Sequence, residues 1–387
     1  MDISIFFEPI KLQNINFSPG TIGSLTLFNN GLDFPDVSGC KIAIIGVNED
    51  RRSIDNLGCS QAPDAVRNSL YKLYPGANHL ASIIDLGNIS AGHTVEDTYY
   101  ALSSAISFLI KNNIMPLIIG GGQDLTYANY LAYENLEQTV NIVTIDSSFD
   151  LGPVEGDLNS RSYLSQIILH EPNYLFNYSN VGYQSYLVDQ NLLELMAKLN
   201  FDAHRLGQVR DNFEEVEPVI RNADILSFDI SSVRYSDAPG CKSSTPNGFY
   251  GEEACQISRY AGMSDKLTSI GFYEINPLND INNQTAHLVS QMIWYFIDGY
   301  CNRKKDFPIG EKSDYLKYRV AIKDNKHEII FYKSNKSDRW WMDVPFPVNK
   351  KVKYSRHHLV PCSYKDYQVA CNDEMPDRWW TTYLKLS

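Results

Sequence analysis

The sequence lacks the apolar segments that would carry a protein into a membrane or across it. Its most apolar stretches, such as residues 290–297, are far shorter than the roughly 20 apolar residues that span a bilayer. The first residues, MDISIFFEPIKLQ, contain no basic segment followed by an apolar run, which an export signal requires. We therefore expect a cytoplasmic protein without a membrane span.

Cysteine and histidine are too scattered to mark a metal or redox site of their own. The seven cysteines stand singly, with no CxxC pair, which indicates reduced thiols, and Cys241 is expected to be buried and inert. None of the eight histidines falls where a predicted strand ends. The run Gly120-Gly121-Gly122 is not followed by Lys-Ser or Lys-Thr, and GxGxxG is absent, so these phosphate-binding motifs are excluded.

Positive charge is scarce in most of the chain and concentrated at its C-terminal end. The whole sequence carries a net charge of −12. Residues 301–387 contain 18 lysines and arginines against 11 carboxylates, whereas the preceding residues contain 16 against 35. The acidic part argues against a nucleic-acid surface. The basic part either docks on the acidic part or faces an acidic partner, and docking is the simpler interpretation.

Short apolar runs alternate with helical patterns over residues 1–300, and this rhythm predicts one large α/β domain. Apolar stripes of helical period end at Asn112 and, further along, before Gly299. Buried parallel strands separated by amphipathic helices form a three-layer α/β/α, doubly wound sheet. The predicted strands are residues 41–46, 82–85, 114–120, 141–146, 224–229 and 269–275.

Residues 301–387 form a separate C-terminal extension that is basic and rich in tryptophan. Residues 317–322 and 327–332 alternate like the two strands of a hairpin, so we expect a small β-rich unit. The tetrapeptide Asp-Arg-Trp-Trp occurs twice, at residues 338–341 and 377–380. These tryptophans either supply the core of the extension or anchor a second copy or another protein, and core packing is favoured.

Carboxylates follow several of the predicted strands at the point where each strand ends. The segments are GGGQD at 120–124, DSSFD at 146–150, SFDIS at 227–231 and EINP at 274–277. Because the carboxyl ends of parallel strands meet at one edge of the sheet, these groups converge there. Several carboxylates at one edge are costly unless a cation neutralises them. Alternatively, each aspartate only caps the turn that follows it.

The order and spacing of these segments resemble the ureohydrolase family of arginase, agmatinase and formimidoylglutamase. Members carry Gly-Gly-x-His, Asp-Ala-His-x-Asp, Ser-Phe-Asp-x-Asp and Glu-x-Asn-Pro in this order. The resemblance runs from about residue 41 to residue 299, and NSRSYL at 159–164 and STPNG at 244–248 are most similar to formimidoylglutamase. It implies a site with two Mn²⁺ ions whose six ligand positions fall at Gln123, Asp146, Ser148, Asp150, Asp229 and Ser231.

Three of these six positions have lost the ligand that the resemblance implies. Gln123 and Ser148 replace histidines, and Ser231 replaces an aspartate. Asp146, Asp150 and Asp229, with Gln123, suit at most one weakly held Mn²⁺, Mg²⁺ or Ca²⁺ ion. In the same resemblance Glu274 corresponds to the acid that faces the substrate; alternatively, it only caps the turn that follows its strand.

Three functions follow from this pattern. The favoured one is a catalytically inactive protein that binds, scaffolds or assembles, as a homo-oligomer or through a protein partner at the extension. The alternative is a hydrolase of guanidino or formimino compounds that uses one remaining metal. A third is a sensor that binds a cationic amine without metal.

Overall fold

The predicted apolar runs form the middle of one large sheet in the computed structural model. Its strands are β1 (Phe7–Glu8), β2 (Leu27–Phe28), β3 (Ile42–Asn48), β4 (Ile83–Ser90), β5 (Met115–Ile119), β6 (Val140–Ile145), β7 (Leu175–Tyr183), β8 (Asp202–Arg205), β9 (Ile225–Asp229) and β10 (Ser269–Tyr273). The structure describes residues 2–11, 17–77, 81–153, 156–308, 314–322, 327–347 and 355–386. The strand order is β1-β4-β3-β5-β10-β9-β6-β7-β8, with β2 beside β4. Neighbouring strands run parallel except β1, which is antiparallel to β4.

Helices cover both faces of this sheet, which confirms the three-layer prediction. Side chains of β3 alternate between two hydrophobic cores, with Ile42 and Ile44 in one and Ala43 and Ile45 in the other. The helices are α1 (Ile22–Leu25), α2 (Ala62–Leu70), α3 (Val95–Lys111), α4 (Leu125–Glu134), α5 (Tyr163–Leu169), α6 (Gln190–Lys198), α7 (Leu206–Asp211), α8 (Val216–Arg221), α9 (Gly251–Met263) and α10 (Gln284–Cys301). Among the described residues, no helix combines the length and the apolar character that crossing a bilayer demands.

Helix α10 differs from its prediction at its C-terminal end. The sequence places the end of this helix before Gly299, but the helix continues to Cys301. Gly299 lies where α10 crosses α9, and a Cβ atom there would stand 2.4 Å from the carbonyl oxygen of Arg259. The glycine therefore permits close contact between two helices and does not end one. Tyr295, predicted in the apolar stripe, is exposed.

The C-terminal extension forms a second sheet and two helices. Its strands are β11 (Tyr315–Ile322), β12 (His327–Ser334), β13 (Trp340–Asp343) and β14 (Leu359–Cys362), all antiparallel in this order, followed by α11 (Tyr364–Cys371) and α12 (Asp377–Leu386). The pairing of β11 with β12 confirms the hairpin, whose connecting residues 323–326 lie outside the described residues. The second Asp-Arg-Trp-Trp begins helix α12, so the β-rich extension also contains helical structure.

Three of the four tryptophans in the repeated tetrapeptides are buried, as core packing predicts. Trp340 and Trp379 belong to the core of the extension, where Trp340 packs between Tyr318 and Tyr367. Trp341 points from the opposite face of β13 towards the body. Trp380 is 49% exposed.

The extension docks on the body at the ends where the strands of the large sheet begin. Asp224, one residue before β9, is fully buried and receives a bond from Arg356 at 2.8 Å. Arg339 pairs with Glu217 at 3.2 Å, and Arg378 pairs with Glu215 at 2.8 Å. The basic extension therefore neutralises carboxylates of the acidic body. It covers the edge of the sheet opposite the predicted site.

Candidate functional site

Four adjacent strands, β5, β10, β9 and β6, end at one edge of the large sheet and carry the residues that the sequence singled out. This adjacency puts four separate chain segments side by side, although they lie far apart in the sequence. Asp124, next to Gln123, lies in the first of these segments and bonds to Tyr99 at 2.6 Å. The predicted residues at this edge are Gln123 after β5, Glu274 after β10, Asp229 and Ser231 at the end of β9, and Asp146, Ser148 and Asp150 after β6.

One oxygen of each of three aspartates, Asp146, Asp150 and Asp229, accepts a hydrogen bond from a residue of the same turn. Asp146 Oδ1 accepts from the backbone N–H of Ser148 at 3.0 Å, and Asp229 Oδ1 accepts from that of Ser231 at 2.6 Å. The hydroxyl of Ser148 donates to Asp150 Oδ1 at 3.3 Å. The capping interpretation thus accounts for one oxygen of Asp146 and one of Asp229, whereas the bond to Asp150 comes from a residue that precedes it. Within the part of the chain that the structure describes, the buried Oδ2 atoms of Asp146 and Asp150 have no hydrogen-bond partner.

The three carboxylates also repel one another, because they are buried together. Burial, followed by the charge of Asp150, raises the pKa of Asp146 well above its ordinary value. Burial and the charge of Asp146 raise the pKa of Asp229 in the same way. Burial, with the charges of Asp229 and Glu274, raises the pKa of Asp150 to about 7. Such shifts follow from the burial of several carboxylates close together.

Glu274 is held by residues that the sequence did not single out. Its Oε1 accepts from the backbone N–H of Gln123 at 2.9 Å. Its Oε2 accepts from the Ser53 hydroxyl and from the side-chain amide of Asn56, each at 2.7 Å. Glu274 therefore bonds to segments after β5 and β3, and the interpretation as a cap of its own following turn does not describe these bonds. In the sequence, the only indication that Ser53 and Asn56 belong to the site is that they follow β3, another strand that ends at the same edge of the sheet.

The backbone at two site residues adopts the left-handed conformation. Asp150 has a φ of 48° and Glu274 a φ of 61°. Non-glycine residues adopt such angles rarely and at a cost of order 1–3 kcal/mol, and they are found mainly where the surrounding structure imposes them. The surrounding structure thus holds the backbone of these two residues in a conformation that they rarely adopt by themselves.

An open cleft of about 910 Å³ leads to this edge. Asp150, Asp229 and Glu274 line it together with Ser148 and Ser231. Its wall also includes two basic residues and two further acidic ones, namely Arg161, Lys242, Asp55 and Asp189. The cleft is large enough for a molecule of amino-acid size.

The thiol of Cys241 lies close to the site but does not line the cleft. Cys241 is buried, and the side-chain amide of Asn56 lies 3.9 Å from its sulfur. Burial, followed by the charges of Asp229 and Glu274, raises the pKa of this thiol well above its ordinary value. A thiol that resists ionisation is a poor nucleophile, as expected from the sequence.

The residues present do not fit a pair of metal ions. Ser148 and Ser231 offer neutral hydroxyls at two of the implied ligand positions, and Gln123 offers a neutral amide at a third. Over the described ranges, no three side chains of His, Cys, Asp or Glu come together as closely as a metal ion requires. Carboxylate and imidazole groups hold Mn²⁺ in proteins more strongly than the neutral hydroxyls of Ser148 and Ser231 do.

Comparison with known proteins identifies the family of this chain. The family model named Arginase family matches residues 40–298, about two thirds of the chain. The chain belongs to the arginase family. This confirms the resemblance seen in the strand-end motifs, and the matched region stops just before the C-terminal extension.

Relatives of this arginase-family chain include several formimidoylglutamases. That of Staphylococcus haemolyticus is 26% identical over 274 residues, covering 66% of this chain and 85% of the relative. That of Streptococcus gordonii is 24% identical over 287 residues, covering 69% and 86%. Both agree with the sequence-based similarity to formimidoylglutamase.

Solved structures show that the fold is shared. Formiminoglutamase from Trypanosoma cruzi with Mn²⁺ has a TM-score of 0.64 and 22% identity, and covers 68% of this chain and 94% of its own. Formimidoylglutamase from Bacillus subtilis has a TM-score of 0.67 and 19% identity, with 76% and 97% covered. These comparisons establish the fold that brings the strand-end residues of this chain to one edge.

Proposed function

We propose that this arginase-family chain is a catalytically inactive binding protein that does not hydrolyse guanidino or formimino compounds. The proposal is carried by the neutral side chains of Gln123, Ser148 and Ser231 at three of the six implied metal-ligand positions. The relatives named formimidoylglutamase supply the reaction to test. A formiminoglutamase of the same fold was crystallised with Mn²⁺, which supplies the ion for the assay.

The chemistry of the remaining groups supports inactivity. Hydrolysis of a formimino or guanidino carbon needs a strong nucleophile, and in metal-dependent hydrolases a bound metal lowers the pKa of water to provide it. Without a fitting metal site, the chain must activate water by a general base. Among the described residues that line the cleft there is no histidine, which is the most frequent general base.

The shape of the site supports a retained binding role. Glu274 keeps three hydrogen bonds to Gln123, Ser53 and Asn56, and the cleft stays open to solvent. The strained backbone at Asp150 and Glu274 is typical of functional sites. A site that had lost all function would gain stability by relaxing these angles.

The test is an activity assay of the purified chain with N-formimino-glutamate, arginine and agmatine in millimolar Mn²⁺. We expect no release of formamide or urea above the rate without protein. Turnover at the rate of a relative assayed in parallel would overturn the proposal. The same assay tests the hydrolase alternative, in which one ion is held by Asp146, Asp150 and Asp229 with Gln123.

Metal binding is measured separately by thermal unfolding in Mn²⁺, Mg²⁺ and Ca²⁺. The alternative requires each bound ion to raise the melting temperature, and it requires Asp229→Asn to abolish the rise. Our proposal expects the same melting temperature for the wild-type protein with and without these ions.

An assembly role is the second part of the proposal. Trp380 of α12 is half exposed and stacks on Tyr383. Large exposed aromatic side chains are favoured at protein interfaces. We expect a concentration-dependent homo-oligomer by light scattering. Trp380→Ala should weaken it, whereas Leu25→Ala, at a similarly exposed position of α1 (51% against 49%), should not. A monomer at all concentrations would contradict this part.

A further inference from the structure

Unpaired polar atoms at the base of the cleft point to a missing ligand. Asp146 is 2% exposed and Gln123 is 1% exposed, yet Asp146 Oδ2 and Gln123 Nε2 have no hydrogen-bond partner among the described residues. Asp150 Oδ2 is unpaired in the same way and belongs to a residue that lines the cleft. Buried polar groups are nearly always paired, so three neighbouring exceptions need an explanation.

The protein itself does not provide the cation that these carboxylates need. Across the ranges that the structure describes, the salt bridges include none to Asp146, Asp150, Asp229 or Glu274. Arg161, the nearest arginine of the cleft wall, pairs with Asp55 at 3.1 Å. Lys242 also lines the cleft and has no ion pair to these four groups among the described residues, so a cation from solution can reach them through the cleft.

Size and geometry favour an organic ammonium over a metal ion. A metal such as Mg²⁺ draws its oxygen ligands to about 2.0–2.1 Å, which requires a tight cluster. Charge-assisted N–H···O bonds are about 2.7–2.9 Å long, so an ammonium nitrogen fits a wider set of acceptors. The described residues contain no group of three or more His, Cys, Asp or Glu side chains that could hold a metal ion, whereas an ammonium group needs only acceptor oxygens at hydrogen-bond distance.

The number of acceptors favours a primary amine over a guanidine. A primary ammonium has three donors that point in three directions, whereas a guanidinium is a planar fork with five. Asp146 Oδ2 and Asp150 Oδ2 supply two acceptors from one turn. The third is the amide oxygen of Gln123, which a half-turn of the terminal amide brings to the place of Nε2.

We propose that the strand-end site binds the ammonium group of an organic primary amine, held by Asp146, Asp150 and Gln123 in place of metal ions. This inference rests on the proposed function, since it names the class of ligand for the same inactive site. The alkyl part of the amine lies in the cleft between Ser148 and Ser231.

The test compares three probes of one shape, n-butylamine, n-butylguanidine and n-butanol, by calorimetric titration of the full-length chain. We expect saturable binding of the amine, at least fivefold weaker binding of the guanidine, and no binding of the alcohol. Equal dissociation constants for amine and alcohol, or no amine binding up to 10 mM, about the affinity expected of a small fragment, would overturn the inference.

Variants locate the binding site. Asp150→Asn removes one charge and should weaken amine binding at least tenfold, which corresponds to about 1.4 kcal/mol. The variant should fold well, since it neutralises a buried, unpaired carboxylate. Asp189→Asn, in the wall of the same cleft, is the matched control and should bind the amine like the wild type. Equal weakening in both variants would show that only the general negative charge of the cleft attracts the amine.

The two proposals fail in different experiments. Hydrolysis with Mn²⁺ would overturn the proposed function whatever the amine does. If the chain shows neither hydrolysis nor binding of n-butylamine, only the ligand assignment is overturned.

Discussion

Replacing Arg221 by alanine should release the C-terminal extension from the body. Arg221 is buried and donates to the backbone carbonyls of Trp340 and Cys362, each at 3.2 Å. Its guanidinium also lies 4.5 Å from the ring centroid of Trp341. Removing it leaves two buried carbonyls without a donor, each worth about 1–3 kcal/mol, and removes a cation–π contact of about 1 kcal/mol. We therefore expect a loss of about 3–5 kcal/mol in the free energy of unfolding.

Urea unfolding followed by tryptophan fluorescence measures this loss, because Trp341 stands against the replaced side chain. The matched control is Arg259→Ala, which breaks the ion pair of a half-exposed arginine with Asp298. Such surface pairs contribute about 0–1 kcal/mol. If Arg221→Ala cost no more than Arg259→Ala, the docking of the extension would not depend on this arginine and the reasoning would be refuted.

Three further predictions concern the junction and the helix crossing. Deletion of residues 301–387 should lower the soluble yield, because it uncovers buried charged groups at the strand starts. Burial and neighbouring positive charges lower the pKa of His357 well below its ordinary value, so the unfolded chain takes up a proton that the folded chain refuses. The free energy of unfolding should then decrease as the pH falls below about 6.5, by up to about 1.4 kcal/mol per pH unit. Measured by urea unfolding at pH 5 and pH 7, this decrease should be smaller in His357→Gln and unchanged in His358→Gln. Gly299→Ala should cost about 1–3 kcal/mol through overpacking, whereas Gly207→Ala, whose Cβ meets nothing closer than 3.6 Å, should cost nothing measurable by the same assay.

The parts of the fold that could be predicted are those in which apolar runs mark buried strands. Strand β7 was missed, because its interior includes Asn177, Ser179 and Asn180 instead of an apolar run. Each of these polar side chains donates a hydrogen bond within the fold, since Asn177 and Ser179 donate to Asp202, each at 2.9 Å, and Asn180 donates to the carbonyl of Ser148 at 2.7 Å. Pairing of this kind depends on tertiary neighbours that no local pattern displays.

The repeated tetrapeptide shows the same limit in the extension. Asp338-Arg339-Trp340-Trp341 enters a strand, whereas Asp377-Arg378-Trp379-Trp380 begins a helix. Identical local sequences thus adopt different conformations, because packing against β12 in one case and against the edge of the body in the other outweighs intrinsic preference.

At the site, the motif spacing located the residues at the strand ends but not the residues that support them. Gln123, Ser148 and Ser231 were found because they stand at the ligand positions that the resemblance to the ureohydrolase motifs implies. Ser53 and Asn56 lie in the loop after β3, more than 200 residues from Glu274 in the sequence, to which each bonds. Only the strand order, which places β3 beside β5, brings that loop to the site.

The central claim, that substitution at three positions removed the metal site, is tested most directly by equilibrium dialysis against Mn²⁺. The wild-type chain is compared with the triple variant Gln123→His, Ser148→His and Ser231→Asp, which restores the implied ligands on an unchanged fold. The account predicts that the triple variant retains Mn²⁺ and that the wild-type chain retains none. Equal retention of Mn²⁺ by the two proteins would contradict it.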